Sequence, residues 1–394
     1  MQFDASHRYR LSCDRRKHRV ALDPARYWKS ARCPVCVLRI DRLRIRRGIK
    51  WLQGKAPRSG LTWNGRFRLV PADGIAMLFA VVTLILTLVL HTVADAWWPA
   101  TILLFLGRWP WLLMAVPAVL LTVVAGQRRP MLIAVPAFVI GLTGIMEFSF
   151  GLGRLAASTE SEAPMRIITF NMNGDAAGPL LTGLVRGWEP DVIAIQECGG
   201  NTRQSLLDLP GYNADIGITC LLTRYPIVSI DSMRHENFAA AGGAALVKRY
   251  RLKGPQGEFD FTNVHMDTPR RAFEALMHGQ ADAIGSITNK TAIRDLESRL
   301  ARHWINAGRG PRIVAGNFNM PTESAIYRAH WSSLTNGFSH VGVGFGATRL
   351  AGWIRLRIDH VLVDEAWVVK TARVLPDYGS DHLPVMVEVE RKIR

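Results

Sequence analysis

Met165-Arg-Ile-Ile-Thr-Phe-Asn-Met-Asn173, followed by Asp191-Val-Ile-Ala-Ile-Gln-Glu197, decides the fold class. Each stretch is a short apolar run rich in β-branched residues, closed by amides or a carboxylate. That is the pattern of a buried strand delivering polar groups into a loop. It recurs at 258–265, ending in His265, and at 311–315, running into Gly316-Asn-Phe-Asn319. It appears again at 358–363, around Asp359-His360, and at 384–389, just after Ser380-Asp-His382. Residues 217–223, 243–250 and 368–374 are further β-type runs, and about 270–307 is compatible with a long helix. Many short strands with few helices between them predict an α/β fold of two sheets flanked by helices.

Working outward, 156–164 is small and polar and reads as a linker, and the residues before it are of another kind. Residues 74–150 are almost uninterrupted apolar sequence. Three runs are expected to span a membrane: 74–90, extending to about 98; about 105–125; and 131 to about 151. A span needs about 20 mostly apolar residues. The chain therefore divides into a basic tail (1–72), three transmembrane helices (73–151), a linker (152–164) and an α/β domain (165–394).

The chain of 394 residues carries a net charge of +17, which is unevenly spread. Residues 1–68 hold 19 Lys+Arg against 4 Asp+Glu, residues 69–151 hold 3 against 3, and the rest hold 27 against 25. The tail alone is thus +15, and residues 152–394 together are only +2. A nucleic-acid-binding domain usually carries its own basic footprint, so nucleic acid is the less favoured partner. A basic tail beside apolar spans reads as a cytoplasmic anchor facing anionic lipid. The loop Gln127-Arg128-Arg129 is basic too, which places the N-terminus inside and the α/β domain outside, with Arg108 the one cation pulling the other way.

The strand ends supply oxygen ligands and imidazoles. Carboxylate and amide oxygens suit a hard cation such as Mg²⁺ or Mn²⁺. Histidines bond phosphate and move protons near neutral pH. His360, next to Asp359 on a strand, is expected to point away from the site. His235, His278, His303 and His340 read as surface or packing residues.

Six motifs occur in order: Ile-Thr-Phe-Asn-Met-Asn, Pro-Asp-Val-Ile-Ala-Ile-Gln-Glu, Asn-Val-His, Gly-Asn-Phe-Asn-Met-Pro, Arg-Ile-Asp-His and Ser-Asp-His-Leu-Pro-Val. Over about 165–389 this set resembles the endonuclease/exonuclease/phosphatase superfamily, which includes exonuclease III, pancreatic DNase and neutral sphingomyelinases. The resemblance implies a four-layered α/β sandwich and in-line attack of water on a phosphorus ester beside a divalent ion. It implies Glu197 as the main metal ligand, with Asn171 and Asp381 completing the metal's surroundings. It implies that His382 contacts the scissile phosphate, that Asp359 orients its imidazole, and that His265 stabilises the phosphoryl oxygens. Asn319 would hold the phosphate or the attacking water. Arg270 reads either as a second phosphate contact or as a solvated cation at a strand-to-helix turn.

One position departs from the family. Asn317 stands where the family usually has an aspartate that aligns or deprotonates water, and an amide cannot accept that proton. Asp267, two residues past His265, is the expected stand-in, since strand alternation puts it on the same side. The overall plan of three spans and an external domain also resembles bacterial membrane proteins linked to glycopeptide resistance. That likeness implies a polyprenyl pyrophosphate or related lipid phosphate as substrate, with membrane lipids as neighbours. The alternatives are a membrane-tethered nuclease and a pseudoenzyme that binds a phosphorylated ligand without turnover.

Cysteines are few. Cys33-Pro-Val-Cys36, with Cys13 and His7 or His18, could form a structural Zn²⁺ site in the tail. Cys198 and Cys220 read equally as a disulfide or as buried free thiols.

Overall fold

The computed structural model describes residues 72–392, apart from 125, 127, 157–163, 176–179, 208 and 353. The basic tail with its expected zinc site, and most of the expected linker, lie outside the described residues.

Four helices open the described chain: α1 (Ala72–Thr92), α2 (Trp98–Phe105), α3 (Pro110–Val124) and α4 (Arg128–Gly144). Of the three expected spans, α1 alone has the length and apolarity to cross a membrane by itself. The second is broken, with α2 and α3 meeting at 77°. The third, α4, is 17 residues long. Buried charge explains the shortening. Arg108, at the break, lies 3.1 Å from Glu147 and 3.2 Å from Glu323. Reaching those partners draws the chain out of helix at Gly107, whose φ of 86° is left-handed. Glu147, also at positive φ, ends the run after α4. The cation that opposed the orientation argument is therefore neutralised inside the protein.

Inside the bundle, small residues let the helices approach: Ala76 and Ala80 of α1, Ala115 and Ala118 of α3, and Ala134 and Ala137 of α4 are all buried. Outside it, Leu78, Leu84, Leu88, Leu113, Leu120 and Leu132 are exposed. An apolar belt of this kind is rare on water-facing monomers.

The rest is a sandwich. Its first sheet has the order β11-β12-β1-β2-β4-β3, with β1 (Met165–Gly174), β2 (Val192–Cys198), β3 (Asn213–Asp215), β4 (Cys220–Thr223), β11 (Trp367–Val374) and β12 (Val385–Arg391). Its second has the order β9-β10-β8-β7-β6-β5, with β5 (Ile227–Ser232), β6 (Leu246–Gly254), β7 (Gly257–His265), β8 (Arg312–Asn317), β9 (Thr335–Asn336) and β10 (Asp359–Val363). Each sheet is antiparallel except for one central parallel pair, β1–β2 in the first and β7–β8 in the second.

Ile167, Val192, Ala194, Phe261, Ile313, Val361 and Val387 fill the space between the sheets. Ile168, Phe170, Ile193 and Ile195 point the other way, toward α5 (Leu181–Trp188), whose Leu181, Leu184 and Val185 are buried at helical spacing, and Leu206 of α6 (Gly200–Leu207) joins the same cluster. Val264 and Val314 point toward α8 (Ala283–Asn306), which buries Ala301 and Ile305 against them. The result is four layers, helix, sheet, sheet and helix, as the sequence resemblance implied. A polar tie crosses the middle of the sandwich. Gln196 donates to Asn263 at 2.8 Å, and Asn263 donates to the carbonyls of Ile195 and Cys220. Cys198 and Cys220 form a disulfide, the first of the two readings.

Candidate functional site

In both sheets the parallel pair ends on the same side of the sandwich. Asn171 and Glu197 close β1 and β2, and His265 and Asn317 stand opposite each other at the ends of β7 and β8. Parallel pairing brings two strand C-termini side by side, which antiparallel pairing cannot do. This topology therefore gathers the polar strand ends into one cleft. Gly316 helps close it: a Cβ there would stand 1.9 Å from the Val264 carbonyl, so β8 could not lie so near β7.

The cleft, of about 160 Å³, is lined by Glu197, His265, Arg270, Asn317, Asn319, Asp381 and His382, seven of the nine predicted residues. The other two act on them. Asn171 donates its amide to Glu197 Oε1 at 2.9 Å. Asp359 Oδ2 lies 2.8 Å from His382 Nδ1. The nine therefore form one connected set.

Local geometry sets what each side chain can offer. Glu197 sits in the left-handed region, at φ 51°, with a side chain 41% exposed. Asn173 (φ 48°) and Asn319 (φ 52°), also in the cleft, share that conformation. Such backbone is costly for residues other than glycine and tends to be held at functional sites.

His265 Nε2 is 3.5 Å from Glu197 Oε1. Burial pushes the His265 imidazole below its ordinary value, against the opposing pull of Glu197. His382 is buried, and with Nδ1 committed to Asp359 its Nε2 is the nitrogen left for the cleft. Asp359 Oδ2 also accepts a bond from Thr348 at 2.6 Å, while its Oδ1 is buried with no hydrogen-bond partner. Ser380 donates to the Asn171 carbonyl and accepts from the His382 N–H, which ties the Ser-Asp-His loop to the end of β1.

Asn317 Oδ1 accepts the N–H of Asn319 at 2.9 Å, and Asn319 donates its amide to the Met266 carbonyl at 2.8 Å. With its oxygen engaged, Asn317 offers the cleft its NH₂ group, a donor. The stand-in expected at Asp267 is not free for that work. Asp267 lines the cleft, but Lys290 holds its Oδ2 at 2.6 Å and the Thr268 N–H bonds its Oδ1. Arg270 opens α7 (Arg270–Met277) at the rim, paired with Glu274 at 2.7 Å. His360 turns away from the cleft, as expected. It bonds the Met320 carbonyl and Asn336, and burial lowers its pKa to about 4. His235, His278, His303 and His340 are exposed.

Four supporting residues went unpredicted. Arg349 lines the cleft and pairs with Asp381 at 2.7 Å. Thr348 bonds Asp359. Glu297, on α8, accepts the N–H groups of Ala244, Ala245 and Asp267, and burial raises its pKa. Arg294, fully buried on α8, donates to the Asn319 carbonyl at 3.0 Å and lies 3.7 Å from Asp95, between α1 and α2. Phe105 of α2 packs on Phe273 of α7, 5.4 Å between ring centres. The helical bundle thus contacts two residues, Arg294 and Phe273, on the helices that support the floor and the rim of the cleft.

The donor set fits one hard cation. Among the described residues no three carboxylates, imidazoles or thiols form a closed cage. Glu197 instead presents one exposed carboxylate in a cleft that the Asp381 carboxylate also lines. Mg²⁺ and Mn²⁺ suit such open oxygen sites, because Mg²⁺ in particular keeps several waters and takes substrate phosphate oxygens as ligands.

A sequence model of the Endonuclease/Exonuclease/phosphatase family matches residues 168–382. No curated protein matches the sequence. Among solved structures, a family protein from Bacteroides thetaiotaomicron is 19% identical, with a TM-score of 0.45, over 59% of this chain and 100% of that one. The mannosyl-6-phosphatase Bt3783 of the same organism is 21% identical, with a TM-score of 0.43, over 57% and 99%. Humanized D. rerio TDP2 is 15% identical, with a TM-score of 0.47, over 58% and 100%.

Proposed function

The chain belongs to the endonuclease/exonuclease/phosphatase family, whose members are in general metal-dependent hydrolases of phosphate esters, and on that premise we propose a phosphoesterase that cleaves a membrane-borne lipid or isoprenoid phosphate. The observation that carries the hydrolytic part is the His382–Asp359 pair at 2.8 Å, set in one cleft with Glu197 and His265.

Glu197 would hold Mg²⁺ or Mn²⁺, with Asn171 and Asp381 around it. When bound, such an ion neutralises charge developing on the phosphoryl oxygens. This chain's residues supply the rest. The Asn317 NH₂ and the neutral His265 imidazole donate to phosphoryl oxygens. Water attacks phosphorus opposite the leaving oxygen; a new P–O bond forms as the bridging P–O bond breaks. The water proton passes to His382 Nε2, because Asn317 cannot take it. Asp359 fixes the tautomer by accepting from Nδ1 and steadies the imidazolium that results.

The lipid part is supported by the bundle's contacts with Arg294 and Phe273, which stand behind the cleft's floor and rim, and by the apolar belt on the bundle's outer face. The near-neutral +2 balance of residues 152–394 favours lipid phosphate over nucleic acid. The test is a substrate panel with detergent-purified protein and Mg²⁺ or Mn²⁺. Phosphate release from undecaprenyl pyrophosphate, without plasmid nicking, is the expected result. Nicking that rises steeply as salt falls, with no lipid hydrolysis, would establish the nuclease instead. Binding of the lipid phosphate without turnover would establish a pseudoenzyme.

A further inference from the structure

A second cavity, of about 390 Å³, lies at the seam between the helical bundle and the sandwich and shares no lining residue with the catalytic cleft. Leu112, Met146, Phe345 and Ala347 give it an apolar wall. Its charged lining is Arg108, Arg355, Arg357 and Glu147. Arg108 is satisfied between Glu147 and Glu323, and it also donates to the Ile145 carbonyl at 2.9 Å. Arg357 lies 5.1 Å from the Phe338 ring but is short of hydrogen-bond acceptors. It is 3% exposed, its Nε is 3.7 Å from Glu147, and both Nε and Nη1 are buried without a hydrogen-bond partner. Arg355, on the hairpin made by Arg349–Ala351 and Ile354–Leu356, is exposed at the same cavity. Three guanidiniums face two carboxylates, a surplus of one positive charge.

We infer that this seam cavity binds an anionic phospholipid. Buried donors without acceptors are costly, and a phosphate oxygen is the acceptor that a guanidinium fits best. One phosphate diester also matches the single surplus charge. A free phosphate would leave the apolar wall bare, whereas the upper part of an acyl chain covers it. The position suits the ligand as well. The cavity lies between the start of α3 and the end of α4, the level at which those helices would meet lipid headgroups. The inference rests on the membrane-embedded part of the proposed function and adds a site outside the catalytic cleft.

The experiment is native mass spectrometry of the full-length protein released from detergent, after incubation with phosphatidylglycerol or phosphatidylcholine. The native protein is expected to retain one phosphatidylglycerol with at least about ten-fold preference, the effect of one contact of about 1.4 kcal/mol. Arg355→Glu, which reverses an exposed charge, and Ala347→Trp, which fills the cavity, act by different means and should each abolish that preference at an unchanged melting temperature. Native-like retention by both folded variants would overturn the inference. So would equal retention of the two lipids, or displacement of the bound lipid by millimolar glycerol phosphate. Selective retention by a protein that hydrolyses no lipid phosphate would refute the proposed function and leave this site standing. Hydrolysis without selective retention would do the reverse.

Discussion

Asn317 is the residue on which the chemistry turns. Its oxygen is spent on the Asn319 N–H, so it can hold a phosphoryl oxygen but not accept a proton. An aspartate there would keep one oxygen on that N–H and free the other for water. Asn317→Asp is therefore expected to raise kcat, within the roughly 10²–10⁴-fold that a positioned base contributes. An unchanged or lower kcat, with metal affinity intact, would show that His382 already does all the work.

A second residue sets acid stability. Burial lowers the His360 pKa from 6.5 to about 4. Between those values the unfolded chain binds a proton that the native chain does not, so stability present above pH 6.5 is lost as pH falls. From pH 7 to pH 5 the loss from this group alone is about 2 kcal/mol. Melting curves of the native protein and of His360→Gln should diverge in that window, the variant falling less; parallel curves would show that His360 contributes nothing there.

At the scale of elements, the seam between bundle and sandwich carries the coupling. Arg294 is wholly buried, reaches Asp95 on one side and holds the Asn319 carbonyl on the other. Arg294→Met would leave Asp95 buried without its cation, at a cost of about 3–5 kcal/mol, and would loosen the left-handed turn at Asn319. The expected result is a lowered melting temperature together with a kcat loss at nearly constant KM. A lower melting temperature alone would mean that the seam is structural only.

None of this seam was legible in the sequence, because Arg294 sits in an ordinary helical pattern and Asp95 some two hundred residues earlier. The strands bearing the site were legible, since their apolar runs end in the very groups that line the cleft. Strands β3, β5 and β9 were not. The first and last are two or three residues long, and β5 is an exposed edge with no buried face to enforce alternation. The stretch 270–307 read as one helix but breaks into α7 and α8 around Gly279, whose φ is 65°. Arg349 and Thr348 gave no signal, because neither follows an apolar run.

For the whole molecule, charge asymmetry and the disulfide point the same way. We propose, on the positive-inside rule, that the +15 tail and the Arg128-Arg129 stretch lie on the inner side. The Cys198–Cys220 bond suits an oxidising outer compartment. In intact cells an impermeant maleimide should label Ser332→Cys, on the exposed face of the sandwich, and spare Cys13, Cys33 and Cys36 of the tail. The opposite pattern would place the catalytic cleft inside.

Phosphate release from undecaprenyl pyrophosphate with Mg²⁺ or Mn²⁺, compared among the native protein, His382→Ala and Glu197→Gln, is the decisive measurement. Turnover by the native protein that falls at least about a hundred-fold in both variants is the predicted result. Turnover unaffected by either substitution, or none in the native protein while the lipid phosphate still binds, would contradict it.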